Sequence, residues 1–575
     1  MDEIFLLNTR LSERFDSTVQ VKMDSLLAEL TPEQGAILRD RCLATRTADT
    51  LNLLGICLSK GYGLPNDDVE AHKWFQESAT LGHTDAMNNL GECLYYGIGV
   101  PVADAKMAAE WFRRSADLGN DVAMFNLAEC LQQGEGIPKD EMMAVEWFRK
   151  SADLGNDGAM NRLGDCLCDG IGIPKDAKLA VEWYTKSADL GNDIAMFNLA
   201  DCLQQGDGVP KDERKAAEWF RKSADLGNDG AMNSLGDCLY DGSGIPKDAK
   251  TAVEWYTKSA DLGNTDAMHN LGYCLQYGHG VAQDEKVAGE WYKKSADLGN
   301  ATAMFHLGIC HQYGRGIGVP KDEKTAVEWF RKSADLGHTT AMNQLAHCLC
   351  EGIGTTEDPE SAVDWYKKSA DLGDTDAMYL LGHCLQYGTG IPQDEKKAVE
   401  WYKKSAELGN NDAMDSLGHC LQYGIGIPEQ KDDAISWYQK AKTPESYRRL
   451  ASLHDDTITS LKYYCLAMVN FREGEDRTEC RDEITEAVED DACVVVDILQ
   501  RLILQEDETE TLKTRMRDLE AKCEAQQIEL DYRPGGLGFD EARRDFESRV
   551  ADTETGLRKT TPVHGSDGLC VRVES

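Results

Sequence analysis

The chain has 575 residues, 41% of them hydrophobic and 28% charged, with a formal net charge of −40. No apolar run approaches the roughly 18 residues needed to cross a bilayer, which excludes a transmembrane reading. Acidity on this scale argues against a nucleic-acid partner, because phosphate contacts need clustered Lys and Arg.

Residues 1–47 carry no repeat. The opening Met1-Asp2-Glu3-Ile4 has acids where a secretory signal has a positive region, so a cytoplasmic protein is expected. Leu26, Leu27 and Leu30 close one helix, and Thr31-Pro32-Glu33 reads as an N-cap followed by Pro at the first position of another, running to about Arg46. This pair is expected to cap the apolar end of the repeats that begin at residue 48.

From residue 48 to residue 443 one unit recurs. All 11 tryptophans occupy a single position of it, from Trp74 through Trp219 to Trp437. Most of the intervals are about 36 residues, and self-similarity at such a period marks stacked supersecondary units. The copy from Asp193 to Asn228 shows the logic. Ala195, Leu199, Cys202 and Leu203 form one stripe of a first helix, helix A, while Phe197, Asp201 and Gln204 lie opposite, with no core role. Gly206-Asp207-Gly208-Val209-Pro210 makes a turn, and Asp212 caps a second helix, helix B. On helix B the run Ala216, Trp219, Phe220, Ser223, Ala224 and Leu226 is expected to be buried, with Trp219 packed between neighbouring repeats. Leu226-Gly227-Asn228 ends it, and so short a link makes the helices antiparallel. Copies alternate between AMFNLA and AMN types, so that the duplicated unit spans two repeats between Asp121 and Asn264. We read this near-identity as recent copying.

The recurring Ala-Met, Leu-Gly/Ala, Cys-Leu, Gly-x-Gly-Val/Ile-Pro-Lys-Asp, Glu-Trp-Phe/Tyr and Ser-Ala-Asp-Leu-Gly-Asn resemble the Sel-1-like repeat family, a relative of the tetratricopeptide repeat. The reading is therefore all-α: a right-handed α-solenoid of about eleven 36-residue helix-turn-helix repeats, with helical caps and a short C-terminal coiled coil. Some secreted bacterial relatives carry a cysteine pair in every repeat. Here one cysteine per repeat, from Cys57 through Cys202 to Cys420, sits in the helix A stripe without a partner in its own repeat, and is expected to be a small reduced core residue.

Beyond the array, residues 444–504 read as a degenerate closing repeat followed by further helix. Leu512, Met516, Leu519, Cys523 and Leu530 suit a short coiled coil within 505–532, and residues 533–575 are polar, poor in aromatics and expected to be mostly disordered.

Two exposed columns of helix A are the candidate binding surface. At the Asp201 position the series runs Glu92, Glu129, Asp165, Asp201 and Asp237, then Tyr273 and Ile309, then His347, His383 and His419. At the Phe197 position Phe125, Phe197, Phe305 and Tyr379 alternate with Asn88, Asn161, Asn233 and Asn343. Aromatic anchors in a polar setting are the usual make-up of interaction hot spots. Carboxylates set one per helix are too far apart to act as an acid and base pair, and no nucleophile elbow, zinc spacing or cofactor fingerprint occurs. Neither cofactor, metal nor catalysis is expected. The resemblance implies a protein-interaction scaffold holding partner segments on the concave helix A face. An architectural rod dimerising through residues 509–530 is the alternative, and an enzyme using His347, His383 and His419 a remote third.

Overall fold

The computed structural model describes residues 4, 17–314, 321–454, 460, 463, 464, 466 and 467. These form 25 helices, and no strand occurs among the described residues. They divide into two compact units, one of the residues up to Ala303 together with Gly314, the other of Met304–Tyr313 and the residues from 321 on. Each unit is an α-solenoid of stacked helix A and helix B pairs.

Asp193 to Asn228 again shows why the sequence folds this way. Helix A spans Asp193–Gln205 and starts where Asn192 Oδ1 accepts the Ala195 N–H at 2.8 Å. Ala195, Leu199, Cys202 and Leu203 are buried, as the 3.6-residue period demands. Gly206, at φ 86, ends the helix and donates its N–H to the Cys202 carbonyl at 2.9 Å. The turn is then tied back, with the Asp212 N–H donating to the Leu203 carbonyl at 2.8 Å. Asp212 also caps helix B, Glu213–Asp225, by accepting the Lys215 N–H at 3.1 Å. Near the end of helix B the buried Ser223 hydroxyl donates to the Asp193 carbonyl at 2.7 Å, so the last turn of B is pinned to the first turn of A.

Two motif residues join one repeat to the next. Gly208, at φ 67, packs on the preceding helix B, where an added Cβ would lie 2.3 Å from the Ala177 carbonyl oxygen. The second unit repeats this contact at Gly426, whose Cβ would lie 2.3 Å from the Glu395 oxygen. The first glycine of Gly-x-Gly thus supplies left-handed backbone, and the second supplies backbone contact between repeats. Asn192 Nδ2 makes the other link by donating to Asp157 Oδ2 of the preceding helix A at 3.0 Å. That bond recurs as Asn228 to Asp193 at 3.1 Å and Asn264 to Asp229 at 3.0 Å.

Two core assignments from sequence need correction. Phe220, 1% exposed, fills the interior, whereas Trp219 is only half-buried and carries the Lys222 ammonium 3.6 Å from its ring centroid. Trp219 sits at the edge of the buried arc, where a lysine three residues on can reach its face. Leu226 is 59% exposed. It lies one residue beyond the last helical turn, its N–H closing on the Lys222 and Ser223 carbonyls, and its side chain has left the core-facing phase.

At the N-terminus Pro32–Thr45 follows a Thr31 capping box, with Leu38 and Cys42 buried. The short helix expected after Lys442 spans Pro444–Leu453. The eleven array cysteines are buried, and desolvation pushes thiols such as Cys57 and Cys202 up to about 12. Among the described residues no helix is long and apolar enough to cross a membrane. The further helix expected towards residue 504, the coiled coil of 505–532 and the tail of 533–575 lie outside the described residues.

Candidate functional site

In the first unit the helix A columns are tied into the packing. Phe125 and Phe197 are half-buried, with ring centroids 5.8 and 5.7 Å from those of Phe148 and Phe220 on helix B of the same repeats. Added Cβ atoms at Gly158 and Gly230 of the following repeats would lie 3.6 Å from those rings. The reading that Phe197 has no core role is corrected accordingly. In the alternate copies an asparagine takes this place and bridges forward. Asn161 Oδ1 accepts from Asn198 at 3.0 Å, Asn88 from Asn126 at 2.9 Å and Asn233 from Asn270 at 3.1 Å.

The acidic column feeds the same ladder. Asp165 Oδ1 accepts from the Tyr184 hydroxyl at 2.9 Å and from Asn198 at 3.1 Å. Asp237 Oδ1 accepts from Tyr256 at 2.8 Å and Asn270 at 3.1 Å, and its Oδ2 accepts from Asn233 at 3.2 Å. Desolvation outweighs these bonds, pushing Asp237 up to about 6 and raising Asp165 as well. Glu92 accepts from Asn88 at 2.9 Å, and Glu129 pairs with Arg162 at 3.0 Å. Asp201 differs, because the helix B aromatic beside it is Phe220, which has no hydroxyl to donate, and the next copy sets Ser234 where an asparagine or arginine stands for the other acids; Asp201 is exposed. Where Tyr273 replaces the acid, the helix B hydroxyl of Tyr292 donates to Gln276 at 2.8 Å instead. The Tyr273 ring then stands 4.7 Å from that of Tyr277, which is 52% exposed.

In the second unit the same register holds rings. Phe305 stacks on His338 with centroids 5.1 Å apart, Tyr379 lies 5.9 Å from Tyr402, and Asn343 donates to Asp374 at 2.9 Å. Ile309 is partly buried against the core, and His347 is exposed. His383 and His419 stand with ring centroids 4.5 and 4.8 Å from those of Tyr387 and Tyr423, both tyrosines being 62% exposed. Tyr402 and Tyr438 donate to Gln386 and Gln422 at 2.7 and 2.8 Å, leaving these histidines outside that bond. Partial burial lowers the pKa of His383 and His419. Next to this column Asp415 pairs with Arg449 at 2.8 Å, and burial pushes its carboxyl up to about 6.

Among the described residues no group of three or more His, Cys, Asp or Glu converges as metal ligands. The faces offer hydrogen-bonding groups and ring surfaces in a fixed register. Sequence reasoning missed the asparagines that close the ladder, although a signal was present. Asn52, Asn88, Asn161 and Asn233 are each followed, one position further along the next copy, by Asn89, Asn126, Asn198 and Asn270. Phe125 and Phe197 are followed instead by Arg162 and Ser234, with Gly158 and Gly230 making room for their rings. The alternation read as recent copying therefore has a packing reason as well.

The family model of the Sel1 repeat matches eleven segments, 48–83, 84–120, 121–156, 158–192, 193–228, 230–264, 265–300, 301–338, 339–374, 375–410 and 411–443. Among solved structures the chain is similar to c5321, a protective antigen of uropathogenic Escherichia coli strains displaying an SLR fold. The two are 28% identical, with 85% of this chain and 98% of that one covered at a TM-score of 0.53. A Sel1 repeat protein from Oxalobacter formigenes is 28% identical over 54% of this chain and 90% of its own, at a TM-score of 0.43. No curated protein matches.

Proposed function

The chain belongs to the Sel1 repeat family, and on that premise we propose that it is a non-enzymatic scaffold whose concave helix A faces hold segments of partner proteins. Proteins of this family are generally protein-interaction scaffolds and typically not enzymes. The proposed surface is lined in the first unit by Glu92, Phe125, Glu129, Asp165, Phe197, Asp201, Asp237 and Tyr273. In the second it is lined by Phe305, His347, Tyr379, His383 and His419. The observation that carries the proposal is the pair of tilted His–Tyr contacts, His383 with Tyr387 and His419 with Tyr423, whose tyrosines are exposed, in a column that the helix B hydroxyls do not occupy. Aromatic rings left at the surface in a fixed register are what a partner side chain needs to bind against.

In this reading residues 48–443 are the binding array, 1–47 and 444–504 its caps, and 505–532 a separate coiled coil. The buried reduced cysteines favour a cytoplasmic setting. The first unit selects basic segments through its acids, with Asp201 as the most available. The second takes neutral segments, and acidic ones more tightly at low pH. Because the pKa values of His383 and His419 are lowered, their charge appears below the ordinary histidine range, so the gain belongs below about pH 6.5.

The test is proximity labelling in cells to obtain partners, followed by binding to the full chain near pH 6 and near pH 8. Asp201→Lys is expected to weaken basic partners, and His383→Ala/His419→Ala to remove the low-pH gain for acidic ones. If neither variant changes the affinity of any captured partner, the helix A faces are not the binding surface.

A further inference from the structure

Helix B of ten of the eleven repeats ends in a leucine that the core does not use, the eleventh ending at Ala441-Lys442 instead. In the first unit Leu118, Leu154, Leu190, Leu226, Leu262 and Leu298 are between 58% and 61% exposed. Single exposed leucines are ordinary on a protein surface, whereas one at the same place in six consecutive stacked repeats makes a row. The glycine after each leucine, from Gly119 to Gly299, holds φ between 97 and 106, and an added Cβ at any of them would meet nothing within 4 Å. The edge is therefore open. The residue before each leucine, from Asp117 to Asp297, is an exposed aspartate. The nearest lysines of the last turn are drawn away onto tryptophan rings, as Lys150, Lys186, Lys222 and Lys258 lie 3.6 to 4.0 Å from the centroids of Trp147, Trp183, Trp219 and Trp255.

We propose that this row of Asp-Leu pairs, separate from the helix A face, is a docking edge for a lysine- or arginine-rich polypeptide segment carrying apolar side chains at the spacing of the repeats. Stacked helices lie about 8–10 Å apart, and in a polyproline II segment every third residue returns to the same side after about 9 Å. A basic segment with a leucine at every third residue thus sets an apolar side chain on each Leu and a cation beside each Asp. The charge decides between occupants. A second copy of the chain, itself at −40, would set aspartate row against aspartate row, whereas a basic segment is complementary.

The probe is a fluorescent peptide of repeated Leu-Lys-Ser, with Leu-Glu-Ser as control, titrated by anisotropy against the full chain at low and high salt. Wild type is expected to bind Leu-Lys-Ser, more weakly as salt rises, and not to bind Leu-Glu-Ser. Leu154→Ser/Leu190→Ser/Leu226→Ser is expected to lose about tenfold or more in affinity, with its unfolding temperature unchanged because these side chains are exposed. Equal affinity of variant and wild type, no binding by wild type, or equal binding of the two peptides overturns the inference. So does wild-type self-association that the leucine variant abolishes, since the occupant is then a second copy. Asp201→Lys separates this edge from the helix A reading. If that variant abolishes peptide binding while the leucine variant retains it, the edge fails and the helix A face stands. The reverse pattern supports the edge whatever the helix A partners prove to be.

Discussion

Asp165 and Asp237 of the first unit and His383 and His419 of the second occupy one position of the same helix, yet they meet different surroundings. Each aspartate accepts a tyrosine hydroxyl from its own helix B and an asparagine from the next repeat. The histidines are bypassed, because Tyr402 and Tyr438 turn to Gln386 and Gln422, three residues further along helix A. Each imidazole then leans on an exposed tyrosine. The role of a column residue in a helical array is thus set by two others, the helix B aromatic of its own repeat and the asparagine or arginine of the next. An acid that looks available on a helical wheel is spoken for when the buried ring behind it is tyrosine or the next repeat sets an asparagine or arginine beside it, as at Glu92 and Glu129, and available when it has neither, as at Asp201 with Phe220 and Ser234.

The widest test asks whether both units share one frame beneath these differences. Phe220 and Tyr402 are each 1% exposed and fill the same place. Phe220→Ala and Tyr402→Ala are each expected to cost about 3–5 kcal/mol, as large-to-small changes of buried aromatics do. Hydrogen exchange is expected to rise in the mutated repeat and its immediate neighbours, since stability in a repeat array is a sum of local terms. Trp219→Ala should cost less than Phe220→Ala, its ring being half outside. Equal losses at Trp219 and Phe220, or loosening spread evenly over residues 51–442, would break the claim of a common frame.

A smaller effect separates the units. Asn198 donates to both Asn161 and Asp165, so Asn198→Ala leaves two partly buried acceptors without that donor, at about 1–3 kcal/mol. The Asn343 repeat of the second unit offers no matching loss, because Leu380 follows Asn343 and Asn343 donates instead to Asp374. The comparison sharpens if equilibrium unfolding of Asn198→Ala falls by that amount while Asn161→Ala/Asn198→Ala falls by little more, the signature of one shared bond. Additive losses would mean the ladder is not a coupled unit.

How much of this is legible in the sequence depends on how local each cause is. The cap at Asn192, the glycine stop at Gly206 and the buried stripe of Ala195, Leu199, Cys202 and Leu203 depend on neighbours within one helix, and the residue pattern places them correctly. Gly208 reads as a turn residue because its other partner, the Ala177 carbonyl, lies in the preceding repeat. Trp219 and Leu226 are misplaced by a helical wheel, which gives a direction without saying how far the neighbouring helix extends over it. The acid column reads as open because nothing on helix A shows that Tyr184 and Tyr256 reach it from behind.

The smallest expected effect has opposite signs in the two units and is read from pH. Asp237 sits at about 6, above the ordinary 3.8, so the folded chain holds a proton there that the unfolded chain has released between about pH 4 and pH 6. Its contribution therefore makes the fold more stable as pH falls through that window, and penalises it at neutral pH. His383 and His419 have lowered values, so the folded state resists protonation and their contribution is lost as pH falls below about 6.5. Asp237→Asn keeps an acceptor oxygen for Tyr256 and Asn270 but cannot titrate. The stability of wild type relative to Asp237→Asn is thus expected to rise from pH 6 towards pH 4, while relative to His383→Gln/His419→Gln it is expected to fall over the same range. Unfolding by denaturant across that interval reads both differences. Curves running parallel to wild type for both variants would mean that neither column titrates with the fold, and the contrast between the acidic and the histidine face would then be one of shape alone.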